Sequence, residues 1–165
     1  MPRMHALELL PDEAGCEVVR RQWQALRDAG LPSQLDHRGA TNSPHVTVLA
    51  APVIGPDDEQ HARDLVAPLL PVEVRPAAIA LLGGTRVSLV RLVDVPDALV
   101  RAVLDLRSQV GGVQHAGWLP HLTLARRLAR ADVASALDIV GHEDAVLSLT
   151  TLRRWDPEAG IVTTL

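Results

Sequence analysis

The sequence predicts a mixed α+β fold in one domain over residues 1–165, and three observations support this prediction. Short apolar runs bounded by turn residues alternate with segments whose apolar residues recur at helical spacing. The length of 165 residues fits one domain. No linker or low-complexity tract divides the chain. The elements are predicted in the order βαβαββαβαββ.

The first half of the chain is predicted to contain two strands and two helices. Residues 4–10 form an apolar strand, and a helix then runs from Asp12 to a stop at Gly30. One face of this helix carries Cys16, Val19, Trp23 and Leu26. A polar stretch leads into a strand over residues 45–50. Pro56 is followed by three acidic residues, which is typical of a helix start.

The second half begins with a hairpin, since Gly83-Gly84 separates two apolar runs. The predicted strands are 72–82, 86–93, 121–125, 145–152 and 161–165. A helix opens at Pro96 and another ends at Gly141. Their apolar faces are Leu99, Val103, Leu106 and Val110 in the first, and Val133, Leu137 and Val140 in the second.

Composition excludes several classes of protein. The basic residues are 16 arginines against 20 acidic residues, and the net charge of −4 argues against a general DNA coat or a polybasic membrane binder. Cys16 is the only cysteine, so neither an internal disulfide nor a cysteine-based zinc site is expected. No apolar run approaches ~20 residues and no signal-peptide core is evident, so we expect a cytoplasmic protein.

The informative feature is a doubled motif. Residues 44–48 (Pro-His-Val-Thr-Val) and residues 120–124 (Pro-His-Leu-Thr-Leu) share the pattern Pro, His, aliphatic, Thr, aliphatic, and the two histidines are 76 positions apart. A single copy is most simply a structural histidine beside a good strand former. Two copies favour a functional site, and they indicate two related halves.

Strand geometry gives this spacing a meaning. Residues i and i+2 point to the same face of a strand, so each motif directs its His and Thr into one cleft and its aliphatic residue into the core. Two imidazoles can serve as an acid–base pair near neutral pH. Two hydroxyls can bind non-bridging phosphoryl oxygens. Metal binding is not expected, because His-x-His and His-x3-His spacings are absent from both motifs.

These residues resemble the two-histidine (2H) phosphoesterases, in particular the branch of 2′-5′ RNA ligases and RNA 2′,3′-cyclic phosphodiesterases. The resemblance implies two pseudo-symmetric αβ lobes with antiparallel sheets flanking a central cleft, and no cofactor or metal. It implies catalysis by His45, Thr47, His121 and Thr123, with Arg126 binding phosphate. It also assigns His121 as base and His45 as acid, an order that the sequence alone does not provide.

Arg126 raises a geometric question. If strand alternation continues from Thr123, Arg126 falls on the opposite face, so the strand must end or bulge near Ala125 for Arg126 to reach the cleft. The first motif continues as Val48-Leu49-Ala50 and has no equivalent arginine. Arg127 and Arg130 are interpreted as solvated residues at a helix start.

Further candidates for substrate contact lie near the motifs. Trp118 is placed to stack on a base, although packing against the sheet is equally compatible. His37 and Arg38 are candidates for the cleft rim, and Arg153-Arg154 is a weak candidate for RNA contact. The remaining histidines are interpreted as structural or solvated: His5, His61, His115 and His142.

Three functions follow from this site. The first is hydrolysis of a 2′,3′-cyclic phosphate on a small nucleotide or an RNA end; the second is the reverse reaction, an ATP-independent 2′-5′ ligation. The third is a non-catalytic module that binds a nucleotide or an RNA end. Extended DNA or RNA binding is not expected, because the arginines are scattered. Neither is membrane binding, and we expect a monomer.

Overall fold

A computed structural model describes residues 3–142 and 144–165. The helices are α1 (Glu13–Asp28), α2 (Pro56–Leu65), α3 (Asp97–Gln109) and α4 (Val133–Val140). The strands are β1 (His5–Pro11), β2 (Val46–Ala51), β3 (Val72–Gly83), β4 (Arg86–Asp94), β5 (His121–Ala129), β6 (Leu147–Asp156) and β7 (Ile161–Thr164). The predicted α+β class and the predicted element order are confirmed.

The helix starts follow from local chemistry. The Asp12 side chain accepts a hydrogen bond from the Gly15 backbone N–H at 2.8 Å, which satisfies one of the free donors at the start of α1. At α2, Pro56 occupies the first turn, and Asp58 accepts from the Gly55 backbone N–H at 2.8 Å. These caps fix where each helix leaves its preceding strand.

Antiparallel pairing joins the strands in the order β1-β2-β5-β4-β3-β6-β7, with β1 also paired to β6. One lobe is the sheet β2-β1-β6-β7, and the other contains β5-β4-β3 and the first residues of β6. Strand β6 links the lobes, because residues 147–149 pair with β3 and residues 151–155 pair with β1. On the side away from β6, the lobes meet where β2 lies beside β5. The cleft opens between these two strands.

Each lobe is covered by its helices over an aliphatic core. Trp23 on α1 is 2% exposed, as its apolar helical face predicts, and Leu122 on β5 is 1% exposed. Two sequence predictions need correction. Strand β5 continues to Ala129 instead of ending at Ala125, because two bulges bend it without ending its pairing with β4. On α4 the buried residues are Ala136 and Val140, whereas Leu137 is 36% exposed.

Candidate active site

The two motif histidines are held in the same way. His45 Nδ1 lies 2.8 Å from the Ser43 carbonyl oxygen, and His121 Nδ1 lies 2.7 Å from the Leu119 carbonyl oxygen. In each case the partner is the carbonyl two residues earlier, which can only accept, so each Nδ1 donates its hydrogen. The neutral ring therefore carries its proton on Nδ1 and leaves Nε2 available for chemistry.

The register between β2 and β5 relates the two motifs by a local twofold axis. Within the described residues the strands pair at one point, Val46 opposite Leu122, in antiparallel orientation. This register sets residue 45 across from residue 123, and residue 47 across from residue 121. Val46 and Leu122 point into the core, being 0% and 1% exposed, so the His and Thr residues on either side occupy the opposite face. The doubled motif is thus one site built from two halves.

A β-bulge follows the motif in each half. Between β1 and β2, Leu7 pairs with Leu49 but Glu8 pairs with Thr47, so Val48 is an extra residue. Between β4 and β5, Leu89 pairs with Ala125 but Val90 pairs with Thr123, so Leu124 is the extra residue. The consecutive buried pairs Val48-Leu49 and Leu124-Ala125 reflect these bulges.

The bulge at Leu124 resolves the geometry of Arg126. An extra residue reverses strand alternation, so Arg126 returns to the face that carries His121, and its side chain lines the cleft. A second irregularity follows at Arg127, whose φ is 59°. The equivalent position after the first bulge is Ala50, which also lines the cleft. The pair Arg126 and Ala50 is therefore a departure from the twofold symmetry.

Two indole groups donate hydrogen bonds to the motif strands. Trp118 Nε1 donates to the Thr47 carbonyl oxygen at 2.9 Å, and Trp23 Nε1 donates to the Thr123 carbonyl oxygen at 2.9 Å. Both carbonyls belong to residues next to the Val46–Leu122 pair that joins β2 to β5, and each is satisfied by an indole N–H. Trp118 thus anchors the first motif. Its half-buried ring also lines the cleft.

A buried ion pair distinguishes the surroundings of His45. Glu8 Oε1 lies 3.5 Å from His45 Nε2, and Arg153 Nε donates to Glu8 Oε2 at 2.8 Å. Arg153 also donates to the Thr41 carbonyl oxygen at 3.1 Å. Both side chains are nearly closed to solvent, Glu8 at 8% exposure and Arg153 at 10%. In the other lobe Val90 takes the position equivalent to Glu8, because it pairs with Thr123 as Glu8 pairs with Thr47.

Arg107 on α3 fixes the loop that leads to His121. It donates to the Val48 carbonyl oxygen at 2.8 Å and to the His115 carbonyl oxygen. Next to it, the Gln114 backbone N–H donates to the Ala50 carbonyl oxygen at 2.8 Å. Desolvation by burial lowers the pKa of Arg107 from its ordinary value. The Arg107 guanidinium thus joins β2 to the loop that precedes β5.

The cleft has a volume of about 980 Å³. Of the residues predicted to form the site, it is lined by His37, His45, Thr47, Trp118, His121 and Arg126. Thr123 is half-buried and Arg38 is exposed, and neither is among the residues that line the cleft. His115, interpreted as structural or solvated, lies on the cleft wall.

Sequence reasoning missed the cleft residues Glu8, Arg107 and Trp155. Glu8 alone carried a signal, a lone carboxylate within an apolar strand. The two weak candidates for RNA contact differ in position. Arg153 lines the cleft but donates a hydrogen bond to Glu8, whereas Arg154 donates to Glu59 and Asp156. Arg107 and Trp155 come from distant elements, and only tertiary contacts bring them to the cleft.

Two searches of the described residues gave negative results. In residues 3–142 and 144–165, no group of three or more His, Cys, Asp or Glu residues could hold a metal ion. None of the helices in these ranges is long and apolar enough to cross a membrane.

The two-lobed fold with a histidine from each half in one cleft defines a class of protein, and comparisons with known proteins identify it. The model of the 2′-5′ RNA ligase superfamily matches residues 15–160. This chain therefore belongs to the 2′-5′ RNA ligase superfamily. No curated protein matches the sequence.

Solved structures of low sequence identity share the fold. E. coli LigT complexed with 3′-AMP superposes with a TM-score of 0.55 at 15% identity, covering 99% of this chain and 94% of LigT. A crystal structure described as a phosphoesterase gives a TM-score of 0.54 at 18% identity, with the same coverage of 99% and 94%. E. coli LigT complexed with NADP+ gives 0.53 at 18% identity, covering 99% and 94%.

Proposed function

We propose that this protein is a phosphodiesterase that hydrolyses 2′,3′-cyclic phosphates on small nucleotides or RNA ends, using His45 and His121 as an acid–base pair. One observation carries the proposal: both histidines line one cleft and donate Nδ1–H to a backbone carbonyl, so that proton transfer falls to each Nε2. Acid and base on opposite sides of a phosphoryl group are what in-line displacement by water requires. The complexes of E. coli LigT with 3′-AMP, NADP+ and ATP are compatible with a nucleotide in such a cleft.

In the proposed step, His121 Nε2 takes a proton from a water molecule as its oxygen bonds to phosphorus. The bond from phosphorus to one ribose oxygen breaks, and His45 Nε2 gives its proton to that oxygen. The product is a ribonucleotide monoester, and the two histidines exchange one proton with solvent to return to their starting states. Arg126 compensates the charge of the phosphoryl oxygens, and Thr47, which lines the cleft, donates a hydrogen bond to them.

The assignment of acid and base rests on the asymmetry around the rings. The Glu8 carboxylate lies 3.5 Å from His45 Nε2, within ion-pair distance, which suits a group proposed to act as the acid. Val90 offers no such acceptor to the other half. Both motifs come from one chain, so the proposed reaction needs only a monomer.

The test is hydrolysis of an oligoribonucleotide ending in a 2′,3′-cyclic phosphate, in EDTA, by the wild type and by His45→Ala and His121→Ala. We expect turnover by the wild type and a loss of about 10²–10⁴-fold in either variant. His142→Ala is the matched control, since His142 is exposed and lies outside the cleft. Activity that survives both cleft substitutions would refute the proposal.

The same assay separates the other two functions. Incubation with a second oligonucleotide bearing a 5′-hydroxyl reports ligation, since the reverse reaction passes through the same transition state. Ligand that binds but is never consumed, by a folded wild type, would indicate a binding module.

A further inference from the structure

Four exposed arginines gather at one end of the cleft. They are Arg86, Arg126, Arg127 and Arg130, and we name them the arginine tip. Contacts across the β3–β4 hairpin and the end of β5 hold them together: Arg86 donates to the Arg127 carbonyl oxygen at 3.0 Å, and Arg130 donates to the Gly84 carbonyl oxygen at 2.8 Å. Scattered in sequence, these residues become one surface through the pairing of β4 with β5.

Among the described residues, no carboxylate forms an ion pair with the arginine tip. Residues 82–87 and 124–131 contain no Asp or Glu, and none of the four arginines forms an ion pair within the described part of the chain. Other arginines do face carboxylates: Arg20, Arg27, Arg63, Arg101, Arg153 and Arg154. A concentration of free positive charge on a protein of net charge −4 is suited to a polyanion.

The arginine tip is also continuous with the candidate site. Arg126 and Leu82 both line the cleft, and Leu82 directly precedes the Gly83-Gly84 turn that Arg130 contacts. The other cleft guanidiniums, Arg107 and Arg153, are occupied by backbone oxygens or by Glu8. A chain of phosphates that leaves the cleft past Arg126 therefore meets exposed guanidiniums that no described carboxylate pairs with, those of Arg127, Arg130 and Arg86.

We propose that the arginine tip binds the phosphate backbone of a single-stranded RNA whose 3′ end occupies the cleft, so that the protein prefers oligoribonucleotide ends over cyclic mononucleotides. This inference rests on the proposed function, since it extends the same site. Because the contacts are to phosphates, the preference is independent of base sequence and sensitive to salt.

The experiment compares kcat/KM for a hexaribonucleotide ending in a 2′,3′-cyclic phosphate with that for 2′,3′-cyclic AMP. For three phosphate contacts the expected slope of log kcat/KM against log salt is about −2, which is a loss of about 20-fold between 50 and 200 mM salt. The triple variant Arg86→Gln, Arg127→Gln, Arg130→Gln is expected to lose this salt dependence on the hexanucleotide. It should keep wild-type activity on 2′,3′-cyclic AMP, which reports that the cleft is intact.

Two controls keep the test decisive. Arg101→Gln removes an exposed arginine from α3 and should leave kcat/KM unchanged on both substrates. The single variant Arg127→Lys should retain most of the preference for the hexanucleotide, because the positive charge remains. Equal salt slopes for both substrates in the wild type would overturn the inference while leaving the proposed function standing. If neither substrate turns over, fluorescence anisotropy of the labelled hexanucleotide still decides: binding unchanged in the triple variant would overturn the inference.

Discussion

Glu8 Oε1 lies 3.5 Å from His45 Nε2, and Arg153 holds the same carboxylate from the other side at 2.8 Å. The two halves of the site are alike in their histidine tautomers, their bulges and their indole anchors. They differ at Glu8, because β4 places the aliphatic Val90 at the equivalent position. The two motif histidines therefore differ in their surroundings, because within the described residues His45 lies beside a carboxylate and His121 does not.

The Glu8→Gln variant tests whether His45 is the acid, because two substrates can be compared whose leaving groups differ in their need for a proton. The amide removes the anionic acceptor for the Nε2 proton, so we expect kcat/KM on a 2′,3′-cyclic phosphate to fall about 10- to 100-fold. A p-nitrophenyl diester of thymidine releases nitrophenolate, which needs no proton. On that substrate Glu8→Gln and His45→Ala should lose less than about 3-fold, whereas His121→Ala should lose activity on both.

The Glu8 variant requires a stability control. Removing one charge of a buried pair costs about 3–5 kcal/mol, so thermal unfolding must show that the variant is folded at the assay temperature. An equal loss on both substrates by a folded Glu8→Gln protein would contradict the assignment of His45 as the acid.

Trp118→Phe tests whether this ring anchors the first motif. The substitution removes the bond from Nε1 to the Thr47 carbonyl but keeps an aromatic ring, so we expect a loss of about 1 kcal/mol in unfolding free energy. That loss corresponds to a Tm lower by about 2–4 °C. A variant as stable as the wild type would show that the indole bond has no such role. A raised KM in Trp118→Leu but not in Trp118→Phe would indicate base stacking as well.

Arg126→Ala should weaken activity strongly, because this guanidinium has no protein partner among the described residues and lines the cleft. A hydrogen bond to a charged group contributes about 1.5–3 kcal/mol, so kcat/KM on 2′,3′-cyclic AMP should fall about 10- to 150-fold. Arg75→Ala, on exposed β3 surface, is the matched control. Full activity of Arg126→Ala would exclude phosphate binding by this residue.

Asp36→Asn tests the segment that carries Gln34 and His37 to the cleft wall. The Ser33 backbone N–H and the Arg27 guanidinium lower the pKa of the Asp36 carboxyl from its ordinary value. A lowered pKa in the folded state contributes stability that is present above the unfolded value of about 3.9 and is lost as pH falls through the folded value.

At pH 7 we expect Asp36→Asn to lower Tm by about 1–3 °C, because exposed charge pairs contribute only ~0.2–1 kcal/mol. Thermal unfolding of both proteins between pH 7 and pH 3 should show the difference narrowing below about pH 4. A difference that stays constant over this range would contradict the role of the ionised carboxylate.

Local sequence determined much of this protein. Apolar periodicity and turn residues gave the order of elements, since both are set by neighbours in the chain. The repeated His-x-Thr spacing placed His45 with Thr47, and His121 with Thr123, because strand alternation acts over two residues. The same alternation predicted that Arg126 reaches the cleft only if the strand ends or bulges near Ala125. The register between β5 and β4 shows a bulge there.

Tertiary structure decided the remainder. Whether a strand bulges depends on the register with its partner, so the position of Arg126 in the cleft was fixed by β4 and not by the residues around Arg126. Glu8 meets His45, and the arginine tip forms, through contacts between residues 37 to 46 positions apart in the chain. Such contacts leave no periodic signal in sequence, because they are set by the packing of whole strands.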